Sequence, residues 1–422
     1  MLTYEITWEL LVLFITFKEI RIVNIKKSLK GLVALAIAGS FASSAIAAPS
    51  NAEIFDMMQE MKQELKNLKA ENNALKGTVE EVAVSTDEAI KAQIKLANKS
   101  TWGGYGELHY NNLEGQGPGV SDTKKIDFHR FVLYFGHEFR DDLRFFSEFE
   151  LEHSLAGDDL PGEVELEQAY IQYDYNDTTQ LTSGLFLMPI GIMNETHEPD
   201  TFYGVERNTV EKNIIPSTWW EAGVMLTKEL KPGLTVDVAL TSGLEATASK
   251  YKPRDGRQKV ASASARSLAT IGRLKYTAIP GLELAASLFM QTDYCQGVVV
   301  GCGSATAFET HAVYKKDKFQ LRALYAGWNI DGDAVKTAGA DKQNGYYLEP
   351  SYRFNDKWGA FARYETYDNK DGNSTDTEVE ARSIGFNYWI DPTVVAKFDY
   401  VDQSKANNKD ADGINIGLGY SF

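Results

Sequence analysis

Six histidines, a cysteine pair and a run of acidic residues are the side chains in this sequence whose types could do chemistry. His109, His129, His137, His153, His197 and His311 are spread over the chain, and none shares a His-x-x-x-His spacing with another. The pattern therefore predicts solvated or lumen-facing imidazoles, with no metal site and no cofactor. No Gly-x-Ser-x-Gly elbow is present, so a lipase or esterase would rest on scattered Ser and His alone. Glu148, Glu150 and Glu152 alternate along one stretch. If that stretch is a strand, the three carboxylates stand about 7 Å apart on one face, suited to hydrating a water-filled space rather than to acid–base catalysis. An enzyme is not expected. Cys295 and Cys302 lie in a Gly/Val stretch with no further ligand nearby. They read as a loop-closing disulfide in an exported protein, with a free thiol pair as the alternative. The stretch Gly243 to Arg266 sets Lys250, Lys252, Arg254, Arg257, Lys259 and Arg266 against Glu245 and Asp255 in a chain whose formal charge is −16. It can lure anionic solutes, or bridge the phosphates of a membrane surface or a neighbouring subunit.

The elements that would position these residues are strands. From Trp102 to the end of the chain, apolar and polar residues alternate with period two. Phe131, Leu133 and Phe135 share one face opposite Arg130, Tyr134 and Glu138, while Phe145, Phe149 and Leu151 oppose Arg144, Glu148, Glu150 and Glu152. No other segment remains to cover the apolar faces, as a soluble protein would require. Roughly sixteen such runs of about ten residues occur, the length at which a tilted strand crosses a bilayer. They begin near Trp102, Ile126, Arg144, Leu166, Gln180, Trp220, Leu234, Leu268, Leu282, Ala307, Phe319, Gly345, Trp358, Arg382, Val394 and Gly413. Short turns such as Lys231-Pro232-Gly233 and Ile279-Pro280-Gly281 alternate with long polar loops such as Pro189 to Thr218. That alternation is the topology of an antiparallel transmembrane β-barrel with short periplasmic turns and long external loops. The last strand puts Ile414, Ile416, Leu418, Tyr420 and Phe422 on one face, and its terminal aromatic resembles the assembly signal of outer-membrane proteins.

Ahead of the barrel, Lys26, Lys27 and Lys30 precede the apolar run Leu32 to Ala42, and Ala45-Ile46-Ala47 supplies a small-residue cleavage site. Residues 1–47 thus read as leader and cleaved signal peptide, and residues 1–24 as a start called too early or an unusually long leader. Residues 48–100 read as a periplasmic coiled coil and linker, and 101–422 as the barrel. Ile54, Met58, Met61, Leu65, Leu68, Asn72, Leu75, Val79 and Val82 recur at gaps of four and three, the seam of a heptad repeat. Asn72 is the polar seam residue that can fix register or strand number. A nucleic-acid partner is excluded by the acidic balance.

Several segments of the barrel resemble the phosphate-selective porin O and P family: FHRFVLYFGHEF from Phe128, GLFLMPIG from Gly184, FYGVERN from Phe202, WWEAG from Trp219 and YYLEPSYRF from Tyr346. The resemblance spans Trp102 to Phe422. It implies a trimeric sixteen-stranded porin of the Gram-negative outer membrane, in contact with lipid and lipopolysaccharide, whose third external loop folds inward and narrows the pore. Alternation puts Arg130, Arg144, Glu148, Glu150, Arg273, Lys275, Arg322 and Arg353 on the lumen face. Glu195, His197, Glu198, Asp200, Glu206 and Arg207 are the candidates on the third loop. We expect a net negative loop against wall arginines, hence a transverse field and weak ion discrimination. The expected function is passive diffusion of small hydrophilic solutes, possible anions such as phosphate or organic acids among them. The alternative is a structural anchor joined to the cell wall through the coiled coil.

Overall fold

The structure, a computed structural model, describes residues 51–97, 99–117, 120–248, 250–406 and 411–422. The leader and signal-peptide reading lies outside those residues. The chain divides after Ile90 into two units.

In the first unit the described residues form a single helix, α1 (Asn51–Ala97), which runs on past the boundary. Its Met58, Met61, Leu65, Leu68 and Leu75 are exposed on the single chain, an apolar stripe without a cover in the monomer. Asn72 is exposed with them. Ile54, Val79 and Val82 lie on the helix, but their side chains fall outside the described set.

The second unit is a closed barrel of sixteen antiparallel strands in which every strand pairs with its sequence neighbours. The strands are β1 (Ser100–Gly115), β2 (Thr123–Arg140), β3 (Leu143–Glu152), β4 (Val164–Asn176), β5 (Thr179–Leu187), β6 (Trp220–Lys231), β7 (Leu234–Thr241) and β8 (Ala269–Tyr276). They continue as β9 (Leu282–Gln291), β10 (Ala305–Lys316), β11 (Phe319–Ile330), β12 (Lys342–Arg353), β13 (Trp358–Asp368), β14 (Val379–Asp391), β15 (Val394–Lys405) and β16 (Ala411–Ser421). Closure joins β1 to β16: the Gly104 amide donates to the Phe422 carbonyl at 3.0 Å, and the Phe422 amide donates back to Gly104 at 2.9 Å. The terminal residue is thus part of the seam, which gives its aromatic ring a fixed place. Gly104 has no room for a side chain, because a Cβ there would sit 2.2 Å from the Val132 carbonyl oxygen on the neighbouring β2.

Period two decides which face each side chain takes. On β9, Leu284, Leu288 and Met290 are exposed on the outside while Ser287, Phe289 and Gln291 are buried inside. At the short-turn end the outer face carries aromatic pairs such as Trp102 with Phe135 and Trp358 with Tyr388, each with ring centroids 4.6 Å apart. Such rings mark the interfacial girdle of a membrane barrel. Gly233 and Gly281 take positive φ (+74° and +79°) in the short turns, where other L-residues would be strained. Some strands reach further toward the long loops than alternation indicates. β12 begins at Lys342 rather than Gly345, and β14 at Val379 rather than Arg382. Their first residues are mostly polar, so no apolar–polar contrast announces them.

Candidate functional site

The third long loop, residues 188–219, lies in the lumen, and its two sides meet different surroundings. Ile190, Ile192, Val210, Ile214, Ile215 and Trp219 pack into one apolar cluster with Phe186, Ile271, Phe289, Leu324, Trp328 and Tyr347 of the wall. Trp219 meets Phe289 and Trp328 at centroid distances of 5.4 and 6.2 Å, and the Trp328 indole donates to the Ile214 carbonyl at 2.9 Å. The loop's short helix α2 (Val210–Asn213) carries Glu211 into this cluster. Its carboxylate accepts from the Ile192 and Met193 amides at 2.6 Å each and from the Tyr347 hydroxyl at 2.8 Å. A buried carboxylate of this kind pays for its desolvation only by such donors.

The other side of the loop is held by charged wall residues. Lys397 Nζ donates to the Gly204 carbonyl at 2.9 Å, the Val205 amide donates to Asp399 at 2.6 Å, and the Thr209 amide donates to Glu365 at 2.5 Å. Arg322 donates to the Thr201 carbonyl at 2.7 Å. Wall charge thus serves first to orient backbone dipoles of the loop.

Two cavities border the loop. The larger, about 650 Å³, lies toward the long loops, and the smaller, about 270 Å³, toward the short turns. Val205, Glu206 and Arg207 line the first, while Asp200 to Tyr203 line the second. The larger cavity sets Lys125, Arg130, Arg207, Lys212, Arg254, Arg257, Lys259 and Arg363 against Glu107, Glu150, Glu152, Glu163, Glu165, Glu206, Glu365 and Asp399, an equal number of either sign.

The wall residues expected from alternation separate into roles. Arg130 lines the larger cavity, 3.1 Å from Glu107 and 3.9 Å from Glu150. Arg353 lines the smaller one, its guanidinium 3.9 Å above the centre of the Trp389 ring. Arg273 and Arg322 line neither. Arg273 is buried between Asp237 at 2.8 Å and Glu195 of the loop, so both arginines act as loop anchors. Arg144 makes a two-bond fork to Asp174, at 2.7 and 2.9 Å, on the short-turn side, and Lys275 lies half-buried outside both linings. Glu138 is exposed. Alternation identifies a face but neither depth along the strand nor what packs there.

The expected sign of the constriction is corrected. Glu195 turns to Arg273, Glu198 accepts from the Tyr134 hydroxyl at 3.3 Å, Asp200 accepts from Ser421 at 2.8 Å, and Glu211 is buried. The loop offers the larger cavity Arg207 and Lys212 beside one acid, Glu206, which is 3.2 Å from His109. The basic stretch after β7 folds inward beside it. Its 3₁₀ turn (Pro253–Gly256) brings Arg254 to the Ser217 carbonyl at 3.1 Å and Arg257 to the Thr218 carbonyl, while Lys259 bridges Glu163 and Glu165. Burial and the neighbouring Arg254 hold the Arg257 pKa down to about 10, and burial lowers that of Arg254 too. Basic loops therefore face an acidic β3–β4 wall, the reverse of the expected polarity. Cys295 and Cys302 are joined in a disulfide under this assembly, with Cα atoms 6.1 Å apart.

The structure also gathers histidines that the sequence scatters. His109 stacks on His129 at 4.7 Å, His153 meets His129 edge-on at 5.6 Å, and His153 Nδ1 lies 2.8 Å from Asp127. Deeper in, His197 of the loop meets Glu148 and Glu167. His311 sits between Glu309 and Glu283 at 2.6 and 3.2 Å, and His137 bonds the Ser100 hydroxyl at 2.8 Å. Glu107, Glu167, Arg363 and Glu365 are lumen residues that alternation did not single out. Glu167 is hidden by a bulge: Gln168 faces Glu148 and Leu166 faces Phe149, leaving Glu167 as the extra residue.

Residues 34–408 match the family model described as Gram-negative porin. An uncharacterised protein of Aquifex aeolicus is 30% identical over 363 residues, covering 76% of this chain and 79% of that protein. Among solved structures, the outer membrane channel DcaP of Acinetobacter baumannii aligns with a TM-score of 0.54 at 14% identity, over 76% of this chain and 97% of that one. The anion-selective porin from Comamonas acidovorans aligns with a TM-score of 0.55 at 13% identity, over 76% and 99%. OmpF of Salmonella typhi, in complex with daunomycin, aligns with a TM-score of 0.55 at 13% identity, over 76% and 97%. At these identities the likeness is one of fold.

Proposed function

Because this chain belongs to the Gram-negative porin family, an outer-membrane channel for small solutes and not an enzyme, we propose that it passes small hydrophilic solutes by passive diffusion with weak preference for ion sign. The observation that carries this is the larger cavity, where eight basic side chains are matched by eight acidic ones, with Arg207, Lys212, Arg254, Arg257 and Lys259 on the loops and Glu150, Glu152, Glu163 and Glu165 on the β3–β4 side. Opposed charge across a narrow water-filled space sets up a transverse field, which favours dipolar and zwitterionic solutes over either simple ion. The resemblance to phosphate-selective porins O and P favours a second reading, anion capture. Its support is the inward fold of Arg254 and Arg257 beside Arg207. The anchor reading draws support from the packed apolar side of the lumen, but two polar cavities on either side of the loop favour a working path.

The exposed apolar stripe of α1, with Asn72 in it, supports a parallel homotrimer whose helices join in a periplasmic coiled coil. Liposome swelling tests the diffusive reading. Vesicles bearing the full-length protein should swell in small sugars and zwitterionic amino acids at rates that fall with solute size. Vesicles that stay impermeable to all of them would favour the anchor.

A further inference from the structure

Three ligand-type side chains from three elements meet inside the wall at the third loop. His197 Nε2 lies 3.2 Å from Glu148 Oε1 of β3 and 3.7 Å from Glu167 Oε2 at the β4 bulge. The three donor atoms lie within 4.8 Å of one another, and all three residues are buried. Two donors each about 2.1 Å from a tetrahedral metal ion stand about 3.4 Å apart, a value that the two observed distances straddle.

The surroundings ask for a cation at this point. His197 Nδ1 donates to the Asn194 carbonyl oxygen at 3.1 Å, which turns Nε2 toward the two carboxylates, the nitrogen that a metal would take in place of its proton. A proton on Nε2 serves Glu148, but among the described residues Glu167 Oε2 still has no hydrogen-bond partner although it is buried. Glu167 Oε1 accepts from the Thr218 hydroxyl at 2.5 Å and Glu148 Oε2 accepts from Gln168 at 2.6 Å, so both carboxylates are held by their second oxygens. Four buried carboxylates cluster here, Glu107, Glu148, Glu150 and Glu167, and one guanidinium, Arg130, lies 3.1 Å from Glu107 and 3.9 Å from Glu150 without a hydrogen bond to either. His109, shared between Glu107 and Glu206, lies toward the rim. A neutral imidazole and two carboxylates closed around a divalent ion are together uncharged and give Glu167 Oε2 the partner it lacks.

We propose that Glu148, Glu167 and His197 form a site for one divalent first-row transition-metal ion, clasping the third loop to the β3–β4 wall. One imidazole and two carboxylates suit zinc or manganese. This assignment is independent of which solutes the channel passes.

The test uses full-length protein purified in detergent and stripped with a chelator. Titration with Zn²⁺ or Mn²⁺ should show one ion per chain whose affinity falls at least about ten-fold in Glu167→Gln. It should be unchanged in a His129→Ala/His153→Ala double variant, which removes the only other such cluster among the described residues. X-ray absorption on the loaded wild type, which needs no variant to fold, should give one nitrogen and two protein oxygens at about 2.0–2.2 Å. No binding by the wild type, binding untouched by Glu167→Gln, or loss of the ion in the double variant instead would each overturn the proposal.

Discussion

The two sides of the lumen are built on opposite principles. Along β5 to β12 many inward side chains join the third loop and the stretches after β7, β9 and β11 in one apolar core that includes Leu244, Tyr251, Tyr294 and Val335, with ion pairs such as Arg273–Asp237 and His311–Glu309 on the same face. Along β13 to β16 and β1 to β4 the inward face is ionic, with Glu107, Arg130, Glu150, Arg363, Glu365, Lys397 and Asp399 in or near contact with the larger cavity or the loop backbone. The core side resembles a soluble domain, where close packing and excluded water fix position. The ionic side borders water and fixes the loop by charge-assisted hydrogen bonds. The loop is therefore pinned from both sides, by packing against β5 to β12 and by hydrogen bonds to Glu365, Lys397 and Asp399.

If this division is right, damage to the packed side should cost most. Trp219→Ala removes the largest fully buried side chain of the loop. Its loss should destabilise the barrel by about 3–5 kcal/mol and free the loop. Denaturant titration and single-channel noise would show this; an unaltered midpoint with quiet channels would mean that the apolar cluster does not hold the loop. On the ionic side, Glu365→Ala leaves Arg363 with Glu349 at 3.2 Å and the Glu206 carbonyl at 3.5 Å, and the Thr209 amide without its acceptor. A loss of about 2–3 kcal/mol is expected, with altered conductance, because a buried charge and a donor lose one partner each. A cost equal to that of Trp219→Ala would erase the distinction between the two sides.

Much of the barrel was legible in the sequence because period two, short turns and long loops each follow from one physical requirement, a strand wet on one face and lipid-facing on the other. All sixteen strands occur where alternation placed them, within a few residues. The site was less legible. Leu244, Tyr251 and Tyr294 stand singly among polar loop residues, so nothing periodic shows that the loops share a core. Arg130 and Arg273 have the same alternation signature, yet one borders a cavity and the other is buried between Asp237 and the loop's Glu195, because depth depends on which loop descends onto the strand. His109, His129 and His153 are brought together by strand register and by a loop with positive φ at His153, neither of which a spacing rule detects. Arg207, Arg254 and Arg257 stand out in the sequence as basic groups in an acidic chain, but nothing in it shows that two separate loops bring them together inside the lumen.

The most direct test of the account is the reversal potential of single channels in asymmetric potassium chloride, recorded for the wild type and for an Arg254→Gln/Arg257→Gln variant. Matched charge around the larger cavity predicts a wild-type permeability ratio within a few-fold of unity and a shift toward cations in the variant, since the acidic β3–β4 wall is then less opposed. Strong anion selectivity in the wild type with current blocked by phosphate, or a ratio unmoved by the double substitution, would contradict it.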